Sequence, residues 1–200
     1  MLTGLTLGFV NRGAIMSYSN QYKDVEDIID TLLVLDTFCA AKNIHVEFVV
    51  VGASGILLFI EMMSKEMEYR PTRDIDIRVT EGVVTTELKD ALQEYEIEIV
   101  EGVIQFPPRE DFQQEEFRHK IEGLFEAIDV YIPDIELLAC TKIFSSRQKD
   151  LEDLENTNLL KLCDKNKLLE LVEEYKSNMT WNDPFCNVHD LSRIFQEKGI

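Results

Sequence analysis

The chain lacks several features that would assign it to a specialised class of protein. None of its four cysteines belongs to a C-x-x-C pair, so neither a zinc site nor a disulfide framework is expected, and a reducing cytoplasm is the natural location. No hydrophobic run reaches the length of a transmembrane helix, so no membrane contact is expected. The mildly apolar residues 2–10 have no basic residue before them, so they do not form a typical secretory signal.

Basic residues are scarce as well, with 20 Lys and Arg against 38 Asp and Glu and a formal net charge of −18. Broad, non-specific binding to nucleic acid depends on clustered Lys and Arg, so this balance argues against that function. A small nucleotide that brings its own metal ion, or a basic protein partner, suits the charge better. The length of 200 residues and the hydrophobic content of 45% allow one domain with a core, with or without a small helical appendage.

The most informative stretch of the chain is residues 48–79. An apolar run over residues 48–51 predicts a strand, and it stops at a turn of small residues that leads into a helix predicted over residues 56–67. The turn consists of Gly52, Ala53, Ser54 and Gly55. Residues 74–79 then alternate strictly between charged and apolar side chains, which predicts a second strand.

This alternation places two carboxylates side by side. Side chains of a strand point to opposite faces with a period of two, so Asp74 and Asp76 share one face, and Ile75 and Ile77 share the other. Neighbouring carboxylates raise each other's pKa unless a positive charge lies between them. A divalent metal ion is the usual solution, and Mg²⁺ favours one or two carboxylates together with substrate phosphates.

The small turn supplies the second half of such a site. Backbone N–H groups at a helix N-terminus bind anions, and small residues let a phosphate approach closely. Together the turn and the Asp pair indicate a site for a metal ion and a triphosphate. The alternative is a solvated strand face, and the nearby Arg70 and Arg73 are either solvated loop residues or neighbours of the phosphate or the Asp pair.

The order of these elements resembles a known family. The strand, the Gly-x-Ser-Gly turn, the helix and the Arg-x-Thr-x-Asp-Ile-Asp-Ile motif, which spans Arg70 to Ile77, are similar to the nucleotidyltransferase fold of the DNA polymerase β superfamily. More narrowly, the chain resembles small bacterial nucleotidyltransferase-like proteins related to toxin–antitoxin abortive-infection components. The resemblance covers roughly residues 25–160, and the Asp-x-Asp motif is its specific part.

The resemblance implies a nucleotide-binding role for several residues. The turn from Gly52 through Ala53 and Ser54 to Gly55 would hold the β- and γ-phosphates, with Arg73 close by. The family usually has Gly-Gly or Gly-Ser at this turn, whereas Ala53 follows Gly52 here, so Ser54 is a second way for the turn to bind phosphate.

A further strand, predicted over residues 124–132, carries Asp129. A charge in so apolar a run is costly unless it is paired or bound to a metal, although a residue at a strand end also meets solvent. The resemblance implies that Asp129 is the third metal-binding carboxylate, beside Asp74 and Asp76, and that it helps to activate the acceptor.

The helix predicted over residues 134–154 is similar to the family's Leu-Ala-x-Lys helix with its Arg-x-Lys-Asp-x-x-Asp-Leu tail. Lys142 stands at the lysine position, where the resemblance implies that it neutralises triphosphate charge. The alternative is a charged helix face with i, i+3 and i, i+4 pairs. Asp150 and Asp153 are interpreted as structural partners of Arg147 or Lys149.

These observations predict an α/β fold, with a mixed sheet of about four or five strands, flanking helices and a helical C-terminal part. The expected organisation is an N-terminal arm (residues 1–21), a nucleotidyltransferase-like domain (22–154) and a helical region (155–200).

The function that the resemblance implies is transfer of a nucleoside monophosphate from a nucleoside triphosphate to an unknown acceptor, which is a protein, an RNA or a small molecule. Two Mg²⁺ ions would be the cofactors. The alternative is a non-catalytic module that keeps the fold and binds another protein, for example as a toxin–antitoxin component.

Overall fold

The structure is a computed structural model, and it describes residues 23–100, 107–179 and 183–200. The arm proposed for residues 1–21 lies outside the described residues. In chain order the elements are α1 (Val25–Lys42), β1 (Val46–Val50), α2 (Gly52–Met62), β2 (Ile75–Gly82), α3 (Thr86–Glu94), β3 (Ile97–Ile99), two short 3₁₀ turns (Arg109–Gln113 and Glu115–Phe117), β4 (Arg118–Lys120), β5 (Ile128–Pro133), α4 (Ile135–Ile143), α5 (Gln148–Asn156), α6 (Leu159–Leu162), α7 (Lys165–Asn178), a 3₁₀ turn (Asn187–His189) and α8 (Leu191–Lys198).

The strands form one mixed sheet with the order β3-β2-β1-β5-β4. β1 pairs antiparallel with β2 and parallel with β5, while the edge strands β3 and β4 pair parallel with β2 and antiparallel with β5. Helix α1 contacts α2 and α3, and α4 contacts α2, α5, α6 and α7. The predicted α/β class, with a mixed sheet and a helical C-terminal part, is therefore confirmed.

One face of the central strands is apolar, and helix α2 packs against β1, β2 and β5. Phe48, Val50, Ile75, Ile77 and Val130 are all buried. Their β-branched and aromatic side chains favour strand geometry, and burying them removes a large apolar area from water. The sheet therefore holds β1 and β2, and the charged residues that they carry, in a fixed register.

Several element boundaries differ from those predicted. Helix α2 begins at Gly52, so the small-residue turn is the first turn of the helix itself. The single helix predicted over residues 134–154 is two helices, α4 and α5, and the boundary predicted at residue 154 falls inside α5. Ser145 separates the two helices, and its hydroxyl accepts a hydrogen bond from the backbone N–H of Arg147 (3.1 Å).

A buried carboxylate joins α1 to the sheet. Asp36 accepts hydrogen bonds from the backbone N–H groups of Glu126, Ala127 and Ile128 at distances between 2.8 and 3.2 Å. These N–H groups precede or begin β5, where the ladder does not yet satisfy them. The contact thereby fixes where β5 starts relative to its neighbours.

All four cysteines are free thiols; Cys39, Cys140 and Cys186 are buried and Cys163 is half-buried. Burial raises the pKa of the Cys39 thiol to about 11, so it remains protonated at neutral pH. In the part of the chain that the structure describes, no helix is both long and apolar enough to cross a membrane.

Candidate active site

Three carboxylates meet at one end of the sheet. The parallel pairing of β2 with β3 places Glu98 directly opposite Asp76, and Asp74 lies just before β2. Each of the three contributes an oxygen atom, and these atoms all lie within 4.8 Å of one another. We call Asp74, Asp76 and Glu98 the acidic cluster. The cluster contains the Asp pair that the alternating motif predicted, but its third member was not predicted.

The donor set of the acidic cluster fits a hard divalent cation. Three carboxylates offer only oxygen ligands, which Mg²⁺ and similar ions prefer, and no sulfur or imidazole takes part. Burial, together with the charges of Asp74 and Glu98, raises the pKa of Asp76 from 3.8 to about 6, while Lys142 and Arg147 act in the opposite direction. A bound cation would relieve this repulsion.

Gly52 lies against the Asp76 side chain. A Cβ atom at Gly52 would stand 2.2 Å from Oδ2 of Asp76, and the backbone φ of Gly52 is +63°, a conformation that side chains disfavour. The backbone N–H of Val51 also donates to the carbonyl oxygen of Asp76 (2.8 Å). The start of α2 and the acidic cluster are therefore in direct contact, and only glycine fits between them.

The other three residues of the small turn are buried. The Ser54 hydroxyl donates to the carbonyl oxygen of Val51 (2.9 Å) and accepts from the backbone N–H of Asp76 (3.2 Å). A Cβ at Gly55 would stand 2.4 Å from the carbonyl oxygen of Val50. The Ser54 hydroxyl and the small size of Gly55 thus allow β1, β2 and α2 to pack closely together. Because the Ser54 hydroxyl already makes these hydrogen bonds, it is not available to bind a ligand.

The N-terminus of α2 has no side-chain cap. Its N-cap position, Val51, makes no side-chain hydrogen bond to the helix, and the first turn contains no acidic residue. The first N–H groups of a helix have no intrahelical partner, and the helix dipole favours an anion there. The backbone of Gly52 and Ala53 is thus the part of the predicted phosphate turn that remains suited to phosphate.

Lys142 lies in a buried ion network and not at an open surface. Its side chain is only 2% exposed, and Nζ lies 2.6 Å from Oδ1 of Asp150 and 3.0 Å from Oδ2 of Asp153. Arg147 also binds Asp150 (2.6 Å), and Arg70 binds Asp153 through two hydrogen bonds of 2.8 Å. The expectation of direct contact with phosphate is not met by this arrangement. Asp150 has Arg147 as a partner, as predicted, whereas Asp153 pairs with Arg70 and Lys142 and not with Arg147 or Lys149.

The network keeps its carboxylates ionised despite burial. Burial alone would raise the pKa of Asp150, but Lys142 and further hydrogen bonds hold that pKa below its usual range. Burial acts on Asp153 in the same way, and there Arg70 and Lys142 lower the pKa. Since Lys142 also lowers the pKa of Asp76, it acts on the acidic cluster through its charge.

Asp129 lies away from the acidic cluster, and the expectation that it is the third carboxylate is wrong. In the strand register Asp129 pairs with Glu47, near the beginning of β1. Asp76 instead bonds to Val51, just past the end of β1. Glu47 and Val51 are four residues apart, so Asp129 and Asp76 are separated by about 13 Å along the strand direction. Asp129 is bound there by Lys120, at 2.6 Å.

An open groove of about 500 Å³ adjoins the acidic cluster between α3 and β3. Its polar lining consists of Arg73, Asp74, Lys89, Gln93, Glu96 and Glu98. Lys23 lies beside two of these lining residues, because its Nζ forms an ion pair with Glu96 and donates to the carbonyl oxygen of Arg73 (2.8 Å). Arg73, a predicted nucleotide contact, therefore lies beside Asp74, at the boundary between the groove and the cluster.

Comparison with known proteins agrees with this geometry. A family model described as a nucleotidyltransferase of unknown function (DUF6036) matches residues 30–198. The chain belongs to this nucleotidyltransferase family. No curated protein and no solved structure matches it. Membership in this family implies a nucleoside triphosphate as substrate. Such a substrate carries a divalent ion, and the acidic cluster offers suitable ligands for that ion.

The sequence did contain a signal for Glu98. Residues 96–100 alternate in the same way as residues 74–79, and the tripeptide Ile97-Glu98-Ile99 matches Ile75-Asp76-Ile77 in pattern. Both segments are strands, and they pair in register. The alternation was sufficient to predict a strand, but the pairing of β3 with β2 is needed to bring its carboxylate to the Asp pair.

Replacing Asp76 by Asn tests the cost of ionising Asp76, which comes from its burial and from the charges of Asp74 and Glu98. The folded pKa of about 6 lies above the ordinary value of 3.8, so the folded protein keeps a proton that the unfolded chain has released, and stability falls as the pH rises between these values. In EDTA at neutral pH we expect Asp76→Asn to be more stable than the wild type by about 3 kcal/mol, with the difference vanishing near pH 4. Urea unfolding at a series of pH values measures it.

The matched control is Asp90→Asn, an exposed acid on α3 outside the cluster. It should change the free energy of unfolding little, and equally at every pH. If the stabilisation by Asp76→Asn were the same at pH 4 and pH 7, the ionisation of Asp76 would not be its cause.

Replacing Lys142 by Ala tests the buried ion network. The substitution leaves two buried carboxylates without their shared cation, so we expect a loss of about 3–5 kcal/mol in the free energy of unfolding. Lys149→Ala, at an exposed position on α5, should cost within about 0.5 kcal/mol. Chemical denaturation of both variants makes the comparison, and similar small losses would show that Lys142 is not held as described.

Proposed function

We propose that the protein transfers a nucleoside monophosphate from a nucleoside triphosphate to an acceptor hydroxyl, with divalent cations held by Asp74, Asp76 and Glu98. The observation that carries the proposal is the contact between the acidic cluster and the uncapped N-terminus of α2, through Gly52. A triphosphate needs both features, because its charge must be met by metal ions and by N–H donors.

In the proposed reaction the acceptor oxygen forms a bond to the α-phosphorus, and the bond between that phosphorus and the oxygen leading to the β-phosphate breaks. Pyrophosphate leaves, and the hydroxyl proton passes to a carboxylate. We assign this proton to Glu98, which is the exposed member of the acidic cluster and lines the groove. The resemblance implied this role for Asp129, which pairs with Glu47 at a distance from the acidic cluster.

Two Mg²⁺ ions are the proposed cofactors; when bound, such a pair stabilises the attacking and leaving oxygens of a phosphoryl displacement. The chain itself contributes the remaining parts. The backbone N–H groups of Gly52 and Ala53 would receive the phosphates, and Arg73 would neutralise charge beside Asp74. Lys142 would act as a positioning residue, since its ion pairs hold α4 and α5 together near Asp76.

The test is transfer of label from each α-labelled nucleoside triphosphate, with Mg²⁺, to a pool of cellular RNA, protein and small molecules. We expect Glu98→Gln and Asp76→Asn to lower transfer by roughly a hundredfold or more, because several kcal/mol of charge stabilisation are lost. Asp129→Asn is the matched control, and it should keep nearly full activity because it lies at another level of the sheet.

The reverse result, loss with Asp129→Asn and activity with Glu98→Gln, would overturn the assignment of the third carboxylate. Metal binding by the wild type without transfer of any nucleotide to any acceptor would favour the alternative, a non-catalytic module that keeps the fold for binding a partner.

A further inference from the structure

The groove between α3 and β3 is placed to receive the acceptor. Asp74 and Glu98 form part of its wall, so a molecule in the groove lies next to the acidic cluster. Its volume of about 500 Å³ is in the range of small-molecule sites, which run from about 300 to 1,000 Å³. The groove's lining includes no residue of α2, whose N-terminus contacts Asp76 through Gly52.

Lys89 is the residue that gives the groove its chemistry. It is exposed on α3, and among the described residues its Nζ makes no hydrogen bond or ion pair. Glu94, the last residue of α3, follows Lys89 by five positions, which is about 7.5 Å along the helix. The residues after α3 lie next to the acidic cluster, because the carbonyl oxygen of Glu96 accepts a hydrogen bond from the backbone N–H of Ile75 (3.1 Å), the residue between Asp74 and Asp76. Lys89 therefore lines the same groove as the carboxylates of Asp74 and Glu98.

The charge balance of the groove depends on the acidic cluster. Among the described lining residues, Arg73 and Lys89 are the cations, and the acid outside the cluster, Glu96, is paired with Lys23. With the cluster carboxylates ionised and no cation bound, negative charges outnumber positive charges by one. One divalent cation on the cluster reverses this excess, so the groove becomes suited to an anion only when the cluster is loaded.

The remaining lining is suited to a sugar. Leu92, Ile97 and Ile99 form an apolar part of the wall, and Gln93 supplies an amide that both donates and accepts hydrogen bonds. The net charge of −18 disfavours a long polyanion, whose many phosphates would meet the acidic surface, but does not disfavour a ligand with a single phosphate.

We infer that this groove seats the acceptor, and that the acceptor is a sugar phosphate whose phosphate binds Lys89 and whose hydroxyl lies beside Glu98. The inference rests on the proposed function, since it needs a divalent cation on the acidic cluster and a reaction that uses the hydroxyl. It adds the chemical class of the acceptor and assigns Lys89 to its binding.

The test is calorimetric binding of ribose 5-phosphate at pH 8, with ribose as the uncharged comparison. The protein is first saturated with Mg²⁺ and with a triphosphate analogue that carries a methylene bridge between the α- and β-phosphorus atoms, so that no transfer occurs and the triphosphate site is filled. We expect ribose 5-phosphate to bind only in the presence of Mg²⁺, and more tightly than ribose.

Lys89→Gln should weaken this binding roughly tenfold, because one charge-assisted contact is lost. Lys176→Gln is the matched control, an exposed lysine on α7 outside the groove, and it should leave the affinity unchanged. Both variants should bind the triphosphate analogue as the wild type does. Equal affinity of wild type and Lys89→Gln for ribose 5-phosphate, or no binding of it by the loaded wild type, would overturn the inference.

The two proposals fail differently in this experiment. If the wild type does not bind the triphosphate analogue in a Mg²⁺-dependent way, the proposed function is wrong. If the wild type binds the analogue in this way but Lys89→Gln does not change the affinity for ribose 5-phosphate, only the identity of the acceptor and its site are wrong.

Discussion

Mutual repulsion among the carboxylates of Asp74, Asp76 and Glu98 is the constraint on which the rest of the site depends. Oxygen atoms of like charge within 4.8 Å of one another are unfavourable, and burial together with this repulsion raises the pKa of Asp76. The fold must therefore hold these groups together against their own charge. It does so with buried strands, whose register cannot slip without exposing apolar side chains to water.

The neighbouring elements serve the same arrangement. Gly52 allows the first turn of α2 to touch Asp76, and the Ser54 hydroxyl joins the end of β1 to β2. On the other side, Lys142 places a positive charge near Asp76 and is itself held by Asp150 and Asp153. The motif that resembles a phosphate-binding lysine is thus a structural ion network that also tunes the acidic cluster.

Local patterns predicted the fold class and the Asp pair, because strand alternation and a small-residue turn are properties of neighbouring residues. They did not predict the third carboxylate, because this depends on how distant strands pair. Asp129 and Glu98 both lie in alternating segments, and only the register shows that β3 brings Glu98 to Asp76 while β5 places Asp129 beside Glu47. The sequence likewise did not predict that Lys142 is buried. Lys142 on α4 is enclosed by acids on α5, and the predicted single helix did not contain the break between α4 and α5.

The position of the metal tests the central claim most directly. A crystal of the wild type soaked with Mn²⁺ and a non-reactive triphosphate would reveal the ion by its anomalous scattering. The account predicts Mn²⁺ coordinated by carboxylate oxygens of Asp74, Asp76 and Glu98, with the triphosphate reaching the N-terminus of α2. Mn²⁺ bound at Asp129, or a triphosphate bound with no ion at the acidic cluster, would contradict it.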